Sequence, residues 1–426
     1  DGNVVDGIVY SPEKMSAITL LIGEGDSLSW AEGCTTAQDV VERAKEEYFL
    51  GIAYDFCAFI EGDFKPKAAD AEGRVAVGGD IIFDQEGNEW NYQIGSGDYA
   101  TGNALKNTTN YTGVTNYAHA IVNGKIINVN TASTGSGSKK FGSNNGDPGD
   151  YHTSGKGTDY SYTFFYKPEE DLFKRLVVGD INNSTHFEDK TPGAAYTTSH
   201  SHDYPGDCET DENGVDKKHP YLGDVNELAQ IYKQEQPLID FQEMFNYLRK
   251  HSISLSKFKS TGTVEVKGND RNELELTCPD GTEAGDTVYF NVPEWNYYKV
   301  SFNNVPTTTM KNDQGDDKIY PTCNLIVNCG GKEITFGTAA DGEKLETYVN
   351  GEAVHAGNDM QNNFPASEKI LYNFYEAEKI HIRESLNGTI FCPFADVDTE
   401  ADNAGTSSAA GHLSGALIAR SFEGYL

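Results

Sequence analysis

The sequence predicts a mainly β fold: an irregular parallel β-helix (β-solenoid) with one or two packed α-helices and long polar loop insertions. Three observations carry this. Glu72-Gly-Arg-Val-Ala-Val-Gly-Gly-Asp-Ile-Ile-Phe83 reads as strand, Gly-Gly corner, strand, with Val75 and Val77 on one face. Looser versions recur at Ala120–Ile127, Leu176–Ile181, Asn324–Phe336 and His412–Ala419. Each is a short apolar strand bent at Gly, and their uneven spacing is what stacked rungs with unequal insertions would show. Composition agrees: 44 Gly and 24 Tyr against 4 Met, with 37% apolar residues, suit a corner-rich β protein rather than a helical bundle. Two β-sandwiches are the runner-up architecture.

Taken in order, residues 1–35 form an N-terminal lead-in or cap, with apolar patches at Val4–Tyr10 and Ala17–Ile22. The remainder, 36–426, reads as one domain. Thr36 with Asp39 makes a capping box, and Val40, Val41, Ala44, Tyr48 and Phe49 share a face, which predicts a helix over 37–50 that covers an open end of the stack. Gly78-Gly79 is expected to supply positive φ at its corner. Polar insertions occupy about 131–158 and 182–222, and the aromatic run Tyr160–Tyr166 reads as a strand. A helix is expected over 225–250, split at Pro237, with Asp240 and Glu243 starting its second half and the whole lying along one wall. From 262 to 422 the chain alternates as β again, with charged or Thr residues outward.

Lys and Arg total 33 against 66 Asp and Glu, a formal net charge of −33. Such a surface repels nucleic acid and anionic lipid, so neither is expected as a partner. No apolar run approaches the roughly 18 residues of a membrane span. The seven Cys include no CxxC, so a zinc ribbon is not expected. Cys323 and Cys329 would stand about 20 Å apart on a straight strand, beyond disulfide reach. Mostly buried, reduced thiols are expected.

The richest chemistry lies in the second insertion. His200-x-His202 puts two rings on one side of an extended chain, and Asp207, Asp211, Asn213 and Asp216 follow within reach of the same loop. Tyr204 stands where the metallo-hydrolase pattern needs its last His, so that enzyme class is rejected. Glu209–Gly214 resembles half of an EF-hand loop, but Pro220 occupies the twelfth position. Loose Ca2+ binding by the Asp/Asn loops is the metal reading left standing, with no cofactor required. Gly315-Asp-Asp317 lacks the companion motifs of pectin-cleaving β-helices, and no nucleophile elbow or phosphate loop occurs. Ice binding would want ranked Thr-x-Thr rows, and Thr307-Thr-Thr309 is isolated.

Leu50-Gly-Ile-Ala-Tyr-Asp-Phe56, Gly62-Asp-Phe64 and Asp70-Ala-Glu-Gly-Arg-Val-Ala-Val-Gly-Gly79 open a pattern that resumes at Leu176–Asp180. It closes at Gly388-Thr-Ile-Phe-Cys-Pro-Phe-Ala-Asp-Val397 and Gly411–Phe422. Over roughly 48–426 this resembles the choice-of-anchor A domains of bacterial surface proteins. Cys392 departs from the small residue usual before Pro393. The resemblance implies a non-catalytic, extracellular adhesive domain at the bacterial cell surface, anchored through parts outside this chain, and it carries over no catalytic residue. The expected partners are host or matrix proteins or glycans. The expected binding patch is the insertion-bearing side, at Tyr151, Tyr160, Tyr196, His202 and Tyr204, because exposed aromatics stack on sugars and anchor protein contacts. A carbohydrate-active enzyme and a purely structural stalk are the competing classes.

Overall fold

The computed structural model describes residues 21–22, 28–29, 34–66, 69–71, 74–83, 92–94, 120–128, 174–178, 195–196, 229–233, 237–268, 272–311, 317–336, 346–354, 369–383, 385–399 and 413–424. The fold is mainly β, with parallel strands stacked in register and two α-helices among the described residues. Tyr160–Tyr166 lies outside them.

Helix α1 spans Ala37–Glu47. The Thr36 hydroxyl accepts from Asp39 N at 3.1 Å and Asp39 Oδ2 accepts from Thr36 N at 2.9 Å, the reciprocal cap read from the sequence. It stops three residues short of the expected 50. Tyr48 turns extended, and Gly51–Asp55 forms a 3-10 turn that begins with Gly51 at φ 55°.

The strands that follow are β1 (Ala58–Ile60), β2 (Phe64–Pro66), β3 (Val75–Val77), β4 (Ile81–Phe83), β5 (Ala120–Val122), β6 (Ile126–Asn128), β7 (Lys174–Val178), β8 (Ala195–Tyr196) and β9 (Ala229–Lys233). Helix α2 spans Phe241–Ser256. After it come β10 (Thr263–Lys267), β11 (Glu273–Thr277), β12 (Thr287–Val292), β13 (Lys299–Asn303), β14 (Asn324–Cys329), β15 (Glu333–Phe336), β16 (Glu346–Val349), β17 (Ile370–Phe374), β18 (Lys379–Ile382), β19 (Thr389–Asp398) and β20 (Leu417–Gly424).

The helix expected over 225–250 is corrected in its first half. Ala229–Lys233 is a strand, paired in parallel with β7 so that Ile231 faces Leu176. A short apolar run is ambiguous between the two periodicities, and a parallel neighbour offering a full set of backbone partners decides it. The second half stands and runs further, capped by Asp240 Oδ1 accepting from Glu243 N at 2.9 Å and ending at Ser256.

Three ladders organise the strands. The first runs β8-β9-β7-β5-β3-β1-β20-β19-β17-β14-β12 and is parallel throughout except where β8 meets β9. The second runs β6-β4-β2-β20-β19-β18-β15, using the later halves of β19 and β20. The third contains β10-β11-β13-β16. The chain therefore climbs from β1 to β9, returns along α2, then climbs again from β12 until β20 pairs with β1, Leu417 opposite Ala58. The last long strand of the chain is held between its first strand and β19.

Helix α2 spans this seam. Its contacts name the ladder in order: Asn123 Nδ2 donates to Ile239 O at 3.0 Å, Phe59 stacks on Phe241 and Phe245, Arg249 Nε donates to Pro393 O at 3.1 Å, and Ser252 Oγ donates to Asn373 Oδ1 at 2.6 Å. Asn328 Nδ2 then reaches Leu255 O at 2.9 Å and Asn291 Nδ2 reaches Phe258 O at 2.7 Å. Seven strand spacings cover about 34 Å, and a helix of this length about 24 Å. The extended flanks at 237–240 and 257–260 supply the rest.

Inward residues of the three ladders, among them Ile60, Phe64, Val75, Ile81, Phe290, Phe302, Phe336, Phe374 and Phe422, form one buried cluster. The opposite face of the first ladder (Phe59, Ala76, Ile121, Ile326, Leu371, Phe391, Ile418) forms a second cluster with both helices. Here the expectation for α1 is corrected. It lies on the sheet beside α2, joined by Lys45 Nζ to Glu243 Oε1 at 2.6 Å and by Phe49 packing edge-on to Phe391, rather than across an end. The β12 end is covered by the segment after α2 instead: Thr261 N and Gly262 N donate to Tyr289 O, and Phe258 stacks flat on Tyr289 at 4.9 Å.

Gly78-Gly79 also needs correction. Neither residue has positive φ. Their reason is space: a Cβ on Gly78 would lie 2.7 Å from the Phe241 ring, and one on Gly79 2.7 Å from Gly62 O. The corners stack directly, with Gly62 N donating to Arg420 O, Gly79 N to Gly62 O and Gly124 N to Gly79 O. Asp63 Oδ1 accepts from Asp80 N and Asp80 Oδ1 from Lys125 N, so the aspartates beside these glycines tie each corner to the next.

Candidate binding face

The second ladder turns a flat polar wall outward. Strict alternation builds it. Ile334, Phe336, Ile380, Ile382, Val397, Phe422 and Phe64 point into the core. Their neighbours must therefore point out. In register these form two rows across the strands. One is Glu333, Lys379, Asp396 and Ser421; the other is Thr335, His381, Asp398, Glu423 and Lys65. Seven strands at about 4.8 Å make the wall roughly 30 Å wide.

Charges on it are paired between strands. His381 Nδ1 lies 2.8 Å from Asp398 Oδ2, and its Nε2 lies 3.1 Å from Glu333 Oε1. Arg383 Nη1 donates to Asp398 Oδ1 at 2.7 Å. Partial burial works against the Asp398 carboxylate, yet the hydrogen bonds from His381 and Arg383 hold its pKa below the usual carboxylate value. Asp396 accepts from Arg420 Nε at 2.8 Å and Ser421 Oγ at 2.6 Å, and the Arg420 bond is the main cause of its lowered pKa. The result is a sheet face with cations and anions repeating at the strand spacing, suited to many weak contacts with a polar polymer. Among the described residues no group of three or more His, Cys, Asp or Glu is arranged to hold a metal ion. No helix among them is long and apolar enough to cross a membrane.

Of the residues singled out from sequence, Tyr196 falls in β8, at the antiparallel end of the first ladder. Tyr151, Tyr160, His200, His202, Tyr204, Asp207, Asp211, Asn213 and Asp216 lie outside the described residues. The attachments of the insertions are nevertheless on view. Chain departs after β4 and β6, which pair Phe83 with Asn128. It returns at the starts of β5, β7 and β9, which pair Ala120 with Leu176 and Lys174 with Ala229. The long segments between these strands thus spring from consecutive rungs at one end of the stack.

Sequence reasoning missed the polar ladder that seats α2. Asn291, Asn328 and Asn373 are in register on neighbouring strands, with Asn328 Nδ2 donating to Asn291 Oδ1 at 2.9 Å and Asn373 Nδ2 to Asn328 Oδ1 at 2.8 Å. A signal was present: Phe-Asn-Val, Val-Asn-Cys and Tyr-Asn-Phe each set an amide at an otherwise apolar position. The buried pair Asp55 and Arg74 was equally legible, since both belong to the opening pattern at 50–79.

A family model described as Putative Ice-binding-like adhesive domain matches residues 49–426. Comparison with curated proteins and with solved structures gives no match.

Proposed function

This chain belongs to that ice-binding-like adhesive-domain family, and we propose that it serves as a non-catalytic adhesin module displayed at a bacterial cell surface. The observation that carries this is the match itself, which covers both climbs of the strand stack and the seam between them. We read the three ladders as the walls of one irregular β-solenoid. The choice-of-anchor A pattern at 50–79 and 388–422 is the finer form of the same kinship.

The ligand, in this reading, is a host or matrix protein or a glycan, held by the insertion-bearing end through Tyr151, Tyr160, Tyr196, His202 and Tyr204. What supports that end is topology: insertions rising from consecutive rungs place their loops side by side, as a multipoint adhesive contact requires. Ca2+ held by Asp207, Asp211, Asn213 and Asp216 beside His200 and His202 would order the same loops. Ice binding is not favoured, since the described wall presents Glu, Lys, His and Asp where a Thr-ranked surface would be needed.

The test is an array of glycans and matrix proteins probed with the full chain and with a chain lacking 182–222. Loss of capture with an unchanged melting temperature supports the patch, and equal capture by both rules it out. A chain that binds nothing on the array is a stalk. Release of reducing sugar from a polysaccharide panel would make it an enzyme. Titrating Ca2+ into chelated protein by calorimetry separates the metal question, and absence of heat removes it.

A further inference from the structure

Two thiols at the β12 end stand apart from the adhesive reading. The six described cysteines are all free, and four of them are buried. Cys323 and Cys329 flank the straight strand β14 and do not meet. Cys278 and Cys323 do meet: their sulfurs are hydrogen-bonded to each other, with both residues at most 2% exposed inside the core cluster.

Their place in the fold is specific. Cys278 follows β11 on the corner that leads into β12, the last strand of the first ladder. Cys323 immediately precedes β14, which pairs with β12, on the corresponding corner of the next rung. Hydrogen bonds already stitch the two corners. Gly285 N donates to Thr322 O at 2.8 Å and Asn324 N to Asp286 O at 2.7 Å. Cys278 N donates to Asn303 O at 2.9 Å, and Asn304 Nδ2 returns a bond to Cys278 O at 3.0 Å. A terminal rung has a neighbour on one side only and is where a strand stack frays first.

We propose that Cys278 and Cys323 are a disulfide-forming pair that covalently locks the terminal rung of the stack to the rung behind it. The partner reagent is a low-molecular-weight disulfide, RSSR. The Cys323 thiolate attacks one sulfur of RSSR and expels RS−, giving a mixed disulfide. Cys278 then loses its proton and attacks Cys323 Sγ, forming the Sγ–Sγ bond and expelling the second RS−. Two thiols and one RSSR become one internal disulfide and two RSH, so protons and electrons balance. The contact prepares the order of attack, because the hydrogen bond from Cys278 lowers the Cys323 pKa while the same bond and burial raise that of Cys278. Burial places the reaction during folding, before the corner at 279–286 closes over the pair.

The full chain is refolded from urea with oxidised and reduced glutathione, denatured, and treated with iodoacetamide. Intact mass is expected to show two fewer alkyl groups than the seven cysteines of the chain, with a linked peptide joining Cys278 to Cys323. Refolded Cys278→Ser and Cys323→Ser variants are expected to alkylate at every remaining cysteine. Amide exchange across Thr287–Val292 is expected to slow about tenfold in the linked protein relative to the same sample reduced. Full alkylation of refolded wild type, or a link joining any other pair, overturns the assignment. A Cys278–Cys323 link that leaves Thr287–Val292 exchange unchanged overturns the locking role.

Discussion

Replacing Asp55 with Ala removes half of an ion pair that has no contact with solvent. Asp55 ends the 3-10 turn at 51–55, Arg74 precedes β3, and both side chains are 0% exposed. Arg74 Nη1 donates to the Asp55 carboxylate, and its guanidinium lies 4.8 Å from the centre of the Phe56 ring. Without Asp55 the guanidinium keeps its charge in a low-dielectric interior, a loss of about 3–5 kcal/mol. The ring returns only about 1–2 kcal/mol by cation–π attraction, and that contact exists already. Asp55→Ala is therefore expected to destabilise the chain by about 3 kcal/mol or more. Because the cost comes from a stranded charge, Asp55→Leu with Arg74→Met should lose less than the two single changes added together, with a coupling of about 2 kcal/mol. Urea titration of the four proteins at pH 7, followed by fluorescence, measures this cycle. A single-variant loss under about 1 kcal/mol, or singles that add to within about 0.5 kcal/mol, would refute the claim that charge burial joins the 51–55 turn to the strand stack.

Other outcomes follow from the same packing. Gly78→Ala pushes a methyl to 2.7 Å from Phe241 and should cost about 1–3 kcal/mol, whereas Gly281→Ala, with open space but φ 84°, should cost only about 1 kcal/mol of backbone strain; equal melting temperatures would show that crowding is not what Gly78 relieves. Asn328→Ala removes the donor to Leu255 O and the acceptor of Asn373, so about 2–3 kcal/mol should be lost and amide exchange should rise across 253–258; unchanged exchange there would contradict the ladder's role in seating α2. Burial lowers the His251 pKa from 6.5 to about 4. Between those values the unfolded chain binds the proton and the folded chain does not. Stability is thus complete above about pH 6.5 and falls as pH drops toward 4, by about 1–2 kcal/mol once partial exposure is discounted. His251→Phe should flatten the difference in melting temperature between pH 7 and pH 4.5, and an identical acid slope in both proteins would count against it.

Much of this was legible in the residues themselves, because it depends on short-range periodicity. Val75–Val77, Thr263–Lys267 and Glu333–Phe336 alternate, and a period of two leaves no choice about which side faces in. The Thr36–Asp39 cap is a local hydrogen-bond exchange that three intervening residues suffice to specify. What the residues alone could not settle is anything that depends on a distant partner. Ala229–Lys233 became a strand because β7 lay beside it. Gly78 and Gly79 are small because α2 and the corner below approach them, not because φ is unusual there. The pairing of β20 with β1, which brings residues 417–419 against 58–60, has no short-range signature, since parallel neighbours share only their apolar alternation and every apolar strand offers the same one. Pattern therefore determined that this chain makes strands bent at glycine. The order in which they stack, and so which outward residues form one wall, was decided only when backbone hydrogen bonds between remote segments chose among equivalent edges.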